Sequence, residues 1–249
     1  MFRRGIDFLS AKYGLWHGRR YSLTRAPAPS FGAMRPFSVD DLIACYRRGV
    51  FPMAESRDDE GVFLVDPEWR CIIPLDTFHV SHRLARTLRA GRFRFSINRD
   101  FAGVIDACAA PAPGREDTWI NPDIRALYLE LHRRGLAHSV ETRTADGDLI
   151  GGLYGVALGG AFFGESMFST ATDASKAALV QLAARLRHGG FRLLDAQFLT
   201  PHLEQFGAQA MPRRIFHALL GVALDAKGDF RALPESASGA ELVEIVGRE

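Results

Sequence analysis

Residues 161–198 read AFFGESMFSTATDASKAALVQLAARLRHGGFRLLDAQF. Ala161–Phe168 is a mostly apolar run of strand length. Asp173 then stands where a helix N-cap belongs, before Ala174–Arg187. In that helix Ala178, Leu179, Leu182 and Leu186 form one stripe. Gly189-Gly190 stops it, and Phe191–Phe198 is apolar enough for a buried strand. Just upstream, His138–Thr144 alternates as a strand. Ala145-Asp146-Gly147-Asp148 carries the Asp-Gly hairpin signal, and Leu149–Leu158 is a glycine-rich strand returning through Gly159-Gly160. Two short helices, Thr200–Phe206 and Pro212–Leu224, follow. A hairpin, helix, strand, helix series predicts a mixed α/β sheet with helices on its faces.

The first half is choppier. Ser38 is a natural N-cap for a helix whose apolar face is Leu42, Ile43, Cys45 and Tyr46, closed by Gly49. Val62–Val65 and Arg70–Ile73 read as short strands split by Asp66-Pro67. Ser81–Arg89 reads as a basic helix, Phe93, Phe95 and Ile97 as a strand, and Asp100–Ala109 as a helix. Ala110–Gly114 is a loop, and Pro122 suits the first turn of a helix over Asp123–Arg134. Residues 1–36 carry seven Arg or Lys against the single acid Asp7. With Ala26-Pro27-Ala28-Pro29-Ser30 as a linker, they read as a basic, flexible extension.

Composition removes several classes. At 249 residues, 47% apolar and 24% charged, the chain is neither disordered nor a small disulfide scaffold. No run approaches the roughly 20 apolar residues of a membrane span. The three cysteines, Cys45, Cys71 and Cys108, lack CxxC spacing, so neither a zinc site nor a disulfide is expected. The expected setting is a reducing cytoplasm. A net charge of +2 selects no partner. No GxSxG, HExxH or Walker glycine loop is present.

Three constellations remain. Glu165 interrupts an apolar strand, and an acid there is costly to bury unless paired or used. Period two puts it on one side with Met167, and Ser166 with Phe168 on the other. Asp195 and Gln197 share a face of the last strand, about 6–7 Å apart along it. A carboxylate and a carboxamide so placed can form a hydrogen-bonded relay or a satisfied polar pair. Trp119, after the Pro-rich loop, can fill a core or stack on a base. Arg83, Arg86, Arg89, Arg92 and Arg94 form a basic stripe able to meet phosphate.

Together these segments resemble the bacterial leucyl/phenylalanyl-tRNA–protein transferases. The resemblance is carried by Tyr46-Arg47-Arg48-Gly49-Val50-Phe51-Pro52, Thr118-Trp119-Ile120, Leu131-His132 with Gly135, and Ala137-His138-Ser139-Val140-Glu141. It continues through Gly151-Gly152-Leu153-Tyr154-Gly155-Val156, Gly164-Glu165-Ser166-Met167-Phe168-Ser169, Ala174-Ser175-Lys176, Asp195-Ala196-Gln197 and Phe206-Gly207-Ala208. It covers about residues 38–224.

The resemblance implies a small N-terminal α/β domain over 37–95 and a domain with the fold of the acyl-CoA N-acyltransferases over 96–226. A tail over 227–249 follows. The Gly-rich phosphate loop of CoA-using relatives is replaced here by Thr170-Ala171-Thr172-Asp173-Ala174, whose acid would repel a pyrophosphate. No cofactor is therefore expected, and the cysteine and histidine spacings suggest no metal. The implied donors are Leu-tRNA and Phe-tRNA, with Met a lesser donor side chain. The implied acceptors are proteins with N-terminal Arg or Lys, marked thereby for N-end-rule degradation. Asp195, Gln197 and Glu165 would be catalytic. Leu153, Phe162, Met167, Leu179 and Leu182 would line the donor side-chain pocket. Trp119 and Met53 would meet the terminal adenosine, Met53 standing where many relatives carry a second tryptophan, and Arg83 and Arg86 the tRNA backbone. A monomer with no membrane contact is expected. Two other classes fit less well: a CoA-dependent N-acyltransferase, which lacks its loop here, and a non-enzymatic tRNA- or N-terminus-binding module, which would not need Asp195 and Gln197.

Overall fold

A computed structural model describes residues 23–25, 37–59, 61–112 and 116–247. The first helix, α1 (Val39–Arg47), starts where Ser38 and Asp41 exchange side-chain and backbone hydrogen bonds in a capping box. Three short strands, β1 (Leu23–Arg25), β2 (Phe51–Met53) and β3 (Phe63–Pro67), form a small antiparallel sheet in the order β1-β3-β2. Apart from β1, the expected extension over 1–36 lies outside the described residues.

The large sheet has seven strands in the order β10-β4-β9-β8-β7-β6-β5. They are β4 (Trp69–Ile72), β5 (Arg94–Ile97), β6 (Ala137–Arg143), β7 (Leu149–Leu158), β8 (Ala161–Ser169), β9 (Leu193–Gln197) and β10 (Gln209–Pro212). All neighbours are antiparallel except β8 and β9, joined by a crossover helix over Ala174–His188. The remaining helices are α2 (His82–Arg89), α3 (Phe101–Ala109), α4 (Pro122–Arg133), α5 (Ala174–His188), α6 (Pro201–Glu204), α7 (Arg213–Asp225) and α8 (Gly239–Gly247). The mixed α/β architecture expected from residues 161–198 is what the chain adopts.

Helices cover both faces. On one, α1, α3, α4 and α7 pack Leu42, Tyr46, Val104, Ile124, Tyr128 and Phe216 against Tyr154, Val156 and Phe163. On the other, α2, α5 and α8 pack Leu84, Leu88, Leu182, Leu186 and Leu242 against Leu153, Phe162 and Leu194. Each fully buried side chain of this size contributes about 1.5–3 kcal/mol. Helix α5 is buried along most of its length, which explains its run of alanines.

The sheets do not divide at the expected boundary near residue 95. Strands β4 and β5 both belong to the large sheet, β4 lying beside β9 and β5 beside β6. The expected tail is also built in. Its helix α8 packs on α5 and α2 through Leu242, Val243 and Val246. The buried Arg185 of α5 donates to the carbonyls of Phe230 and Leu233 at 3.0 and 2.6 Å, fastening the approach to α8. Strands β2 and β10 were not legible, because three- and four-residue runs containing proline carry too little period.

Candidate active site

Strand β8 does not keep its alternation. Gly155 of β7 pairs with Gly164 and Tyr154 pairs with Ser166, so Glu165 has no partner on β7. It is a bulge residue, and its side chain turns to the face of α1 and α4. Met167, opposite Leu153, packs into the other core. The expectation that Glu165 and Met167 share a side therefore fails, since one extra residue resets the period. Gly155 is required beside the bulge: a Cβ there would stand 2.2 Å from the carbonyl oxygen of Phe163.

The parallel pairing of β8 with β9 spans just three positions and ends at Phe163 and Asp195. Beyond it β8 stays with β7, while β9 follows β4, with Gln197 opposite Cys71. Gln197 takes a left-handed backbone, φ 55°. For a non-glycine residue that costs about 1–3 kcal/mol and persists where surroundings enforce it. The diverging strands leave a cavity of about 510 Å³ that reaches side chains of both sheet faces. That size suits a small-molecule or amino-acid group.

One wall is polar. Arg70 of β4 donates from Nε and Nη2 to the two carboxylate oxygens of Asp195, each at 2.7 Å. Both residues are buried. The amide of Gln197 donates to Asp195 Oδ1 at 3.1 Å, and its Nε2 lies 3.4 Å from Asp195 Oδ2 and 3.3 Å from Glu165 Oε1. Asp195 and Gln197 thus meet beside Glu165, with the left-handed turn at Gln197, not strand alternation, setting its side chain. Tyr128 donates to Glu165 Oε2 at 2.8 Å, and the hydroxyls of Tyr46 and Tyr128 are in contact. Burial raises the Glu165 carboxyl to about 7; the tyrosine hydroxyls and Arg70 oppose that rise and Asp195 adds to it. Burial also lifts both phenols well above their ordinary range.

The opposite wall is apolar: Leu153, Met167, Leu179, Leu182 and Leu194. Four of the five expected pocket residues are there. Phe162 is not. It lies on the closed, parallel part of β8, where no wedge has opened, and its ring stacks on Phe230 at 5.6 Å. Trp119 and Met53 both line the cavity while being 8% and 3% exposed. Trp119 thus belongs to the core and also borders the open space.

Asp173 sits at the N-cap of α5 with φ 66° but makes no side-chain cap bond. Its carboxylate takes both Nη atoms of Arg83, at 2.6 and 2.8 Å. Arg83 is thus paired but remains exposed, as are Arg86, Arg89, Arg92 and Arg94. Among the described residues no group of three or more His, Cys, Asp or Glu could hold a metal ion. No helix among them is long and apolar enough to cross a membrane.

Arg70, Tyr46 and Tyr128 were not singled out from the sequence as site residues. The signal for Arg70 was the acid itself: an Asp on a central apolar strand demands a buried cation. Tyr128 reads as core because it falls on the buried stripe with Ile124 and Leu131.

Residues 72–221 match the family model described as leucyl/phenylalanyl-tRNA protein transferase, and residues 35–68 match that family's N-terminal domain. The leucyl/phenylalanyl-tRNA–protein transferase of Caulobacter vibrioides is 57% identical over 212 residues, 85% of this chain and 97% of that protein. That of Phenylobacterium zucineum is 58% identical over 84% of this chain and 94% of its own length. That of Maricaulis maris is 54% identical over 86% and 98%. Among solved structures, L-PGS from Bacillus licheniformis aligns with a TM-score of 0.39 and 13% identity over 76% of this chain and 77% of that one.

Proposed function

The chain belongs to the leucyl/phenylalanyl-tRNA–protein transferase family and is an aminoacyltransferase, and from that premise we propose that it acts as follows. Leu-tRNA or Phe-tRNA is the donor. The acceptor is the α-amine of a protein beginning with Arg or Lys, which the added residue marks for N-end-rule degradation. The chain works as a monomer in the cytoplasm.

The reaction is aminolysis of an ester. A C–N bond forms between the acceptor amine and the aminoacyl carbonyl, the C–O bond to the tRNA ribose breaks, and the amine's proton ends on the ribose oxygen. An α-amine has a pKa near 7.7–8.0, so roughly a tenth is neutral at pH 7 and a strong base is unnecessary. Holding two bound substrates in line supplies most of the rate.

The observation that carries the reading is the Gln197 carboxamide set between two carboxylates. With Nε2 directed at Glu165 and Asp195, Oε1 is left as the acceptor for an N–H of the attacking amine. Glu165, raised to about 7, suits a carboxyl that takes the amine's proton and passes it to the leaving oxygen. Leu153, Met167, Leu179 and Leu182 form a floor for an unbranched-Cβ side chain such as leucine, phenylalanine or methionine. Trp119, with Met53 beside the same cavity, offers a stacking surface to the terminal adenosine. Arg86 meets the tRNA backbone.

The test is transfer of labelled leucine or phenylalanine from charged tRNA to a peptide beginning with Arg. We expect transfer to that peptide, none to its N-acetylated form, and no transfer of acetyl from acetyl-CoA. Use of acetyl-CoA, or indifference to N-acetylation, would overturn the reading.

A further inference from the structure

The relay residues rest on a cation that lies outside the Asp195–Gln197 segment. Arg70 is 1% exposed, and its guanidinium carbon lies 4.4 Å from the ring centre of Phe51 and 4.5 Å from that of Phe216. Its remaining Nη1 donates to the carbonyl of Gly49, at 3.0 Å, just past the end of α1. Arg70 therefore ties three elements, β4, β9 and the end of α1, to one carboxylate. The planar fork allows no freedom: two parallel N–H bonds fix the plane of Asp195 as well as its position.

We propose that Arg70 is a positioning residue of the transfer reaction, locking the Asp195 carboxylate so that it sets both the left-handed backbone and the carboxamide orientation of Gln197. Asp195 Oδ1 accepts from Arg70 Nε and from the Gln197 amide, so one oxygen links the clamp to the strained residue. Oδ2 accepts from Arg70 Nη2 and faces Gln197 Nε2. Asp195 then works as a template with its charge already matched. Of the two cleft carboxylates, Glu165 alone lacks a salt-bridged cation among the described residues. The proton and cation chemistry of the cleft falls to Glu165.

The inference rests on the transfer reading, and the experiment separates the two. Transfer by the parent protein is measured first; its absence removes the reaction, whatever Arg70 does. With the parent active, Arg70→Lys keeps the charge and the stem but loses the fork. We expect about 100-fold lower kcat, the scale of loss when a reacting group is slightly misplaced. KM for charged tRNA should stay within about threefold, because uniform binding is untouched. Thermal unfolding establishes that the variant is folded. An unchanged kcat in folded protein, or a loss confined to KM, would overturn the proposal. A second arm covers a poorly folding Arg70→Lys. Asp195→Asn alone is compared with Asp195→Asn combined with Arg70→Gln, which leaves no unmatched charge buried. Because Arg70 acts through Asp195, the second substitution should cost less than about threefold in kcat. A further loss as large as Arg70 substitution causes in the parent background would overturn the proposal too.

Discussion

Glu165 is an acid placed where acids are expensive, and its surroundings tell how it is kept. Two tyrosine hydroxyls and a carboxamide supply the polar contacts that water would otherwise give. They fall short of offsetting burial, so its pKa stands near 7, above the ordinary 4.5. The folded chain then holds more protons than the unfolded one between those values. Stability contributed by this group is present below about pH 4.5 and declines as pH rises through about 7. Glu165→Gln should abolish that decline, stabilising the protein at pH 8 by up to about 3 kcal/mol relative to the parent. Denaturant unfolding at pH 5 and pH 8 measures it, and equal pH dependence in both proteins would refute it. In single-turnover transfer the parent's rate should rise with an inflection near 7 that the variant lacks. Asp195 was legible as a residue of consequence because a buried charge on a central strand needs an explanation. What the linear sequence could not supply was its partner, 125 positions earlier, on a strand only four residues long.

At the scale of elements, period and punctuation carried the second half of the chain. The β7 turn β8 hairpin, α5 and β9 follow from glycine pairs and apolar spacing, with boundaries shifted by a residue or two. The bulge at Glu165 was invisible because a single inserted residue leaves composition unchanged and alters only register. Its effect was large: it sent Glu165 to one face and Met167 to the other. Phe162, which family position put in the pocket, lies on the closed, parallel part of β8 and does not line the cavity. The two positions should part in experiment. Leu182→Ala should lower kcat/KM for leucine and phenylalanine donors by about 1–3 kcal/mol, the worth of an apolar group in a specificity pocket. Phe162→Ala should instead lower unfolding free energy by about 3–5 kcal/mol, with the ratio of the two donors preserved in the folded fraction. A changed donor ratio in Phe162→Ala, or none of the expected loss in Leu182→Ala, would relocate the pocket.

For the whole molecule, the net charge is only +2. Arg86 and Arg89 on α2, and Arg92 and Arg94 just after it, are exposed, whereas Arg70 and Arg185 are consumed inside. If this patch meets the tRNA backbone, replacing Arg86 and Arg89 by alanine should weaken donor binding and flatten its salt dependence. The slope of log affinity against log salt should fall by about 0.7–0.9 for each phosphate that the variant no longer neutralises. An unaltered slope in a titration from low to moderate salt would move the interface elsewhere. Within the seven-stranded sheet the site lies at a seam. Strands β8 and β9 are stitched together over three positions, Ala161 to Phe163 against Leu193 to Asp195. β10, β4 and β9 lie on one side of this seam and β8 to β5 on the other. Beyond Asp195 the gap is thus bridged by side chains, Gln197 to Glu165, and no longer by a backbone ladder, so the sheet itself furnishes the opening into which the site is set.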